Sequence, residues 1–257
     1  MPVTDPTQRF SSRVENYVRY RPGYPAEVLE LLKKECGLTP DTVVADIASG
    51  TGLWTRHLLE NGNPVYGVEP NPEMRKAGEE YLQSFPRFTS VAGTAEATTL
   101  EDHSVGLVTA AQAAHWFDRA RARQEFVRIL KPGGWTVLLW NERLIDTIAF
   151  LRDYEQLLLD FGTDYKEVRH ERTTAEIRSF FTPAPYREQV FQYEQRFDYA
   201  GIEGRLLSSS YTPQKGNKNF APMMERLRQI FEGHQVGGKV ALRYDTRVFY
   251  GILEEAF

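Results

Sequence analysis

Short apolar runs alternate with amphipathic stretches through the middle of the chain. From about residue 40 to 141 they read TVVADI, LWTRHLLE, PVYGVE, PEMRKAGEEYL, SVGLVTAA, RARQEFVRIL and WTVLLW. The apolar runs have the length of buried strands and the amphipathic ones the period of helices, which predicts βαβ units around a parallel sheet. Asn71 or Pro72 opens the second helix of the series, since proline is at home in a first turn. KPGG at residues 131–134 ends the helix before WTVLLW, with glycine as a left-handed stop. From 142 to 185 the texture is helical and aromatic, and AFLRDYEQLLLDF is its clearest amphipathic stretch. Strand texture returns in REQVFQYEQRFDY and in VALRYDTRVFYGIL, with MMERLRQIFEG as a helix between them. The expected organisation has three parts. A short head and a sheet core occupy 1–141, a helical cap inserted after the fifth strand occupies 142–185, and residues 186–257 complete the sheet with a further helical insertion.

At 257 residues the chain can bury a substantial core, and 41% hydrophobic with 26% charged residues is the balance of a globular protein in water. No apolar run is long enough to span a bilayer, and MPVTDPTQRF lacks the pattern of a secretory signal, so the expected location is cytoplasmic with no membrane partner. The net charge of −4 gives no general pull toward nucleic acid. Cys36 is the one cysteine, which excludes an internal disulfide and a cysteine-based metal cluster; no metal is expected. Oligomeric state stays open.

The chemistry begins at VVADIASGTGLWTRHL, residues 43–58, a strand, a glycine turn and the first turns of a helix. A phosphate loop would need G-x-x-x-x-G-K-[ST], and the lysine is missing. A dinucleotide turn would need a third small residue where Thr55 stands. An S-adenosylmethionine (SAM) turn needs an acidic residue closing the strand and a looser glycine pattern, and Asp46-Ile47-Ala48-Ser49-Gly50-Thr51-Gly52 fits it.

Here the sequence resembles the class I SAM-dependent methyltransferases. VYGVEPNPEM, AGTAEAT, VGLVTAAQAAHWFD and RILKPGGWTVLLWN follow in the family's order. YRPGYP, SSSYTP and RYDTRVFYGIL resemble the trans-aconitate-type and related small-molecule subgroup. The resemblance implies a Rossmann-like, doubly wound, seven-stranded and mostly parallel α/β sheet. It implies SAM as cofactor, leaving as S-adenosyl-L-homocysteine. Glu69, with Pro70 and Met74 behind it, would grip the ribose; Thr94, Ala95 and Glu96 would frame the adenine. Asp46, Ala48, Ser49, Gly50 and Gly52 would carry the turn, with Tyr17, Arg21 and Gln112 near the methionine end. Ala48 stands where the family often has glycine, and Thr94 and Gly106 where many members have aspartate.

Aromatic rings attract a sulfonium, and Tyr17, Tyr20, Trp116 and Trp140 are the candidates. His115, in the HWF segment with Trp116, could serve as general base toward a hydroxyl, or could shape the pocket through backbone hydrogen bonds. Arg21, Arg143 and Arg205 could each fork a carboxylate, although a solvated surface arginine is the default for each taken singly. Ser208 to Tyr211, including Ser209, could line the acceptor pocket or form a simple turn. An N-P-P-[YFW] motif is absent, which argues against amide or nucleobase amine methylation. A Pro-Cys pair for cytosine chemistry is absent too. The expectation is methyl transfer to a small-molecule acceptor, at the oxygen of a carboxylate or hydroxyl. The rivals are an S-, N- or C-directed natural-product enzyme, a SAM-binding regulator without catalysis, and, disfavoured by Thr55, an NAD-dependent oxidoreductase.

Overall fold

The computed structural model describes residues 20–163, 165 and 177–253. Its strands are β1 (Val44–Ile47), β2 (Val65–Val68), β3 (Phe88–Val91), β4 (Val105–Ala111), β5 (Leu130–Arg143), β6 (Tyr186–Phe197) and β7 (Val240–Gly251). They form one seven-stranded sheet in the order β3-β2-β1-β4-β5-β7-β6. Neighbours from β3 to β5 are parallel, and β7 runs antiparallel to both β5 and β6. The strand order reverses at β1, with β2 on one side and β4 on the other. In open α/β sheets such a switch point leaves a crevice at the carboxyl ends of the strands.

The helices in this frame are α1 (Glu27–Cys36), α2 (Leu53–Glu60), α3 (Pro72–Leu82) and α4 (Arg119–Ile129). Beyond β5 come α5 (Ala149–Phe161), α6 (Tyr199–Leu207) and α7 (Phe220–His234). Helix α3 begins as expected: Asn71 is its N-cap, its side chain accepting from the Glu73 and Met74 amides, and Pro72 is the first helical residue. KPGG behaves differently from the expectation. Helix α4 ends at Ile129, and Leu130 already pairs with Val105. The register then shifts, so that Leu107 faces Trp135, and KPGG forms a bulge inside β5 with Gly133 at φ 77°. Helices α1 and α6 lie in stretches where no helix is expected from the pattern.

Side-chain alternation places a core on each face of the sheet. Ile47, Val108, Leu138 and Phe249 join Phe126, Phe180 and Phe181 on one side. Val44, Leu107, Val137 and Val248 join Val28, Leu32, Trp54 and Leu58 from α1 and α2 on the other. A third cluster brings Leu151 and Leu158 of α5, Ile202 and Leu206 of α6 and Leu227 of α7 together. One face of β7 serves two of these cores: Val240, Leu242 and Tyr244 enter the third cluster, and Val248 and Tyr250 enter the second. The helices after β5 are thereby held to the same sheet, beside its carboxyl-end crevice. No helix among the described residues is long and apolar enough to cross a membrane.

Candidate active site

The turn after β1 is built on left-handed backbone. Ala48, Gly50 and Gly52 have φ of 54°, 58° and 84°. Glycine adopts such angles freely, whereas alanine does so at a cost of about 1–2 kcal/mol. That accounts for the family's usual glycine at position 48. Gly52 answers a second demand: a Cβ there would stand 2.6 Å from Leu82 Cδ1, so α2 and α3 approach only without one.

Two buried carboxylates hold the turn. Asp46 is 1% exposed; Thr55 Oγ1 donates to its Oδ2 (2.6 Å) and Thr109 Oγ1 to its Oδ1 (3.0 Å). Burial outweighs both hydroxyl bonds and pushes its pKa from 3.8 up to about 7. Glu69, at the end of β2, accepts from the Gly50 amide at Oε2 (2.8 Å) and from the Asn71 amide at Oε1 (2.9 Å). Its pKa is also raised by burial, against the pull of those amides. Each Glu69 oxygen keeps a lone pair for another donor.

A cleft opens over the carboxyl ends of β1 and β4. Of the sequence-predicted residues, Arg21, Asp46, Ala48, Ser49, Gly50 and Gln112 line it together. Tyr24, Thr51 and Trp54 line it as well and were missed. Thr51 and Trp54 are 1% and 2% exposed, and among the described residues their Oγ1 and Nε1 have no hydrogen-bond partner. Both belong to the turn and the first turn of α2, in which Leu53 follows Gly52 and Trp54 is the second residue. Met74 is buried beside Gly50, its Cε 3.4 Å from where a Cβ would be.

The remaining candidates fall into separate groups. Thr94 is exposed and bridges to Ala97; Ala95 is buried in the sheet core, and Glu96 accepts from the Asp118 amide (2.9 Å). His115 and Trp116 form a single 3-10 turn after β4. The His115 ring lies 4.4 Å from Trp116 and 5.1 Å, edge-on, from the buried Trp140. Tyr20 packs on α6, where a Cβ at Gly204 would run into its ring. Tyr17 lies outside the described residues. Arg143 and Arg205 depart from the surface default. They are 5% and 6% exposed, Arg143 paired with Glu155 (2.5 Å) and Arg205 bonded to Ser209 Oγ (3.0 Å). Burial raises the Tyr154 and Tyr165 hydroxyls beside Arg143, keeping both neutral.

Among the described residues no cluster of histidine, cysteine, aspartate or glutamate could hold a metal ion. The donor set instead suits an amino acid joined to a nucleoside. Two carboxylates lie at the ends of β1 and β2. Arg21 and the two buried donors, Thr51 and Trp54, face the cleft.

Comparison with known proteins decides the family. The family described as methyltransferase domain matches residues 45–138. A relative from Mycobacterium tuberculosis, described as an uncharacterized methyltransferase, is 37% identical over 230 residues, covering 90% of this chain and 88% of its own. The chain belongs to the SAM-dependent methyltransferases. Solved structures agree on the class I methyltransferase fold. One from Anaeromyxobacter dehalogenans, provisionally assigned as a type II methyltransferase, superposes with a TM-score of 0.65 at 22% identity, over 90% of this methyltransferase and 97% of that chain. A phosphoethanolamine N-methyltransferase of Haemonchus contortus, solved with S-adenosylhomocysteine, gives 0.53 at 14% identity, over 97% of this methyltransferase and 58% of that chain.

Proposed function

We propose that this methyltransferase transfers the methyl group of SAM to an oxygen of a small-molecule carboxylate or hydroxyl. The observation that carries the reading is the donor-lined cleft at the strand switch point, with Glu69 fixed beside it. Glu69 would take the ribose hydroxyls on its remaining lone pairs, in charge-assisted bonds worth about 1.5–3 kcal/mol each. Arg21, Thr51 and Trp54 would take the amino-acid carboxylate, and Asp46 would sustain the turn beneath. SAM bound there supplies a methyl group already activated on a sulfonium.

The chain's own work is alignment, water exclusion and, for some acceptors, proton handling. Well-aligned reactants can gain about 7–11 kcal/mol from orientation alone. A carboxylate oxygen needs no base. A hydroxyl does, and His115, in the turn leaving β4 beyond Gln112, is the residue of this proposal that would take its proton. The aromatic faces of Trp116 and Trp140 beside it would favour a cation nearby.

Titration calorimetry with S-adenosylhomocysteine, beside NAD and ATP, tests the cofactor. Binding of S-adenosylhomocysteine alone is expected. Glu69→Gln keeps one acceptor oxygen and loses the charge, so affinity should fall at least about tenfold, the loss of one charge-assisted bond. Equal affinity in that variant would remove the ribose role, and a clear NAD signal in the wild type would overturn the reading.

A further inference from the structure

Two guanidiniums are buried together at the end of β5, and among the described residues one carboxylate, Glu155, pairs with them. Arg143 is the last residue of β5, whose neighbour β4 runs directly into the cleft through Ala111 and Gln112. Its Nη2 donates to Glu155 Oε2 (2.5 Å) and to the Tyr165 hydroxyl (2.9 Å). Its Nη1 is buried with no acceptor among the described residues. Arg205, on α6, makes no ion pair among the described residues. Its bonds go to neutral oxygens: the Tyr244 hydroxyl (3.3 Å), Ser208 Oγ (3.4 Å) and Ser209 Oγ (3.0 Å). Tyr154 and Tyr211 interact electrostatically with both arginines. Ser208 ties the group to the cofactor cleft, since Arg21 Nη2 donates to its carbonyl (3.0 Å).

Burying an arginine against hydroxyls alone costs folding free energy, and an ion pair with one donor left unused compounds it. Among the described residues Glu155 is the one carboxylate paired with the two arginines, so the cluster counted over them holds one positive charge in excess and at least one unused donor. A monoanion with two oxygens matches that count. A phosphate ester, with a charge of about −1.5 to −2 and three acceptor oxygens, exceeds it.

We propose that Arg143 and Arg205 form a buried subsite for a carboxylate of the methyl acceptor. The proposal rests on the methyl-transfer reading above and narrows it to acidic acceptors. Arg143 contributes Nη1 and Arg205 its charge, while Ser209 and Tyr244 keep the Arg205 fork in place. The subsite lies at the carboxyl end of the sheet, so an acceptor anchored there reaches toward the cleft over β4 rather than away from it.

Thermal unfolding of the full chain tests this at fixed pH and ionic strength. Succinate, dimethyl succinate and inorganic phosphate are the probes; the wild type, Arg205→Met and Arg205→Lys are the proteins. Succinate at ten times its Kd should raise the wild-type midpoint by about 3–6 °C, and dimethyl succinate should leave it unmoved. Arg205→Met should melt at or above the wild type without anion and lose the succinate response. Arg205→Lys should keep a weaker one. A wild type blind to succinate overturns the subsite, as does an Arg205→Met protein with an undiminished response. A response to phosphate without one to succinate overturns the choice of carboxylate. If Arg205→Met does not fold, the wild type and Arg205→Lys still decide. S-adenosylhomocysteine titrated into the wild type and Arg205→Met should bind equally. Its failure to bind the wild type would reject the methyl-transfer reading, whatever succinate does.

Discussion

Replacing Asp46 by asparagine should stabilise the folded protein, and by more as the pH rises. The carboxyl is enclosed at the end of β1, and its pKa climbs from 3.8 to about 7 because burial penalises the charged form. An acid with a raised folded pKa contributes its stability in full below the unfolded value and loses it as pH rises through the folded one. From 3.8 to about 7 is about 3.2 pH units, which at 1.36 kcal/mol each is about 4 kcal/mol lost above neutrality. At pH 5.5 about 2 kcal/mol of that is already lost, so about 2 kcal/mol more disappears between pH 5.5 and 8. Asparagine is nearly isosteric and carries no proton equilibrium. Its carbonyl can accept from one of Thr55 and Thr109, and its amide can donate to the other once that hydroxyl turns. Urea unfolding of both proteins at pH 5.5 and 8 measures the gap. The advantage of Asp46→Asn should widen by about 2 kcal/mol between the two pH values. A gap independent of pH would mean that Asp46 is ionised in the fold throughout, and the reasoning from burial would fail.

Two further substitutions probe the frame around the site. Asn71→Ala removes the cap that receives the Glu73 and Met74 amides, and should cost about 1 kcal/mol in urea unfolding; no loss would mean that α3 needs no cap. Gly204→Ala drives a methyl group into the Tyr20 ring, so it should cost about 1–3 kcal/mol as overpacking rather than gain helix propensity; a more stable variant would show that Tyr20 does not pack there in solution.

What could be read from the chain was whatever its local spacing encodes. The apolar stripe of AFLRDYEQLLLDF matches α5 end for end, and Asn71-Pro72 marks the start of α3 because capping is a matter between near neighbours. Helix α6 escaped because Gly201 and Gly204 weaken its helical signal, and Gly204 is glycine for the sake of a ring far away in sequence. KPGG looked like a helix stop, yet its glycines serve a bulge whose partner is β4. The glycine turn and Glu69 were legible as motif. The places of Thr51 and Trp54 in the cleft were not, since a lining residue is defined by what converges on it. Nor does anything near Arg143 or Arg205 announce burial. That follows from α5, α6 and β7 closing over them, and from Glu155 and Tyr244 arriving from those elements.

The Glu69 carboxylate is latched to Gly50 and Asn71 by the chain's own amides. A site assembled in advance loses little conformational freedom on binding, so more of its contact energy is left over as affinity. The same latch ties the fate of the turn to the acceptor it carries. A chain that drifted to another residue at 69 would loosen the backbone of its glycine loop in the same step. If Glu69 takes the ribose as proposed, losing that contact and losing the order of the loop would be one event, because the same two oxygens serve both.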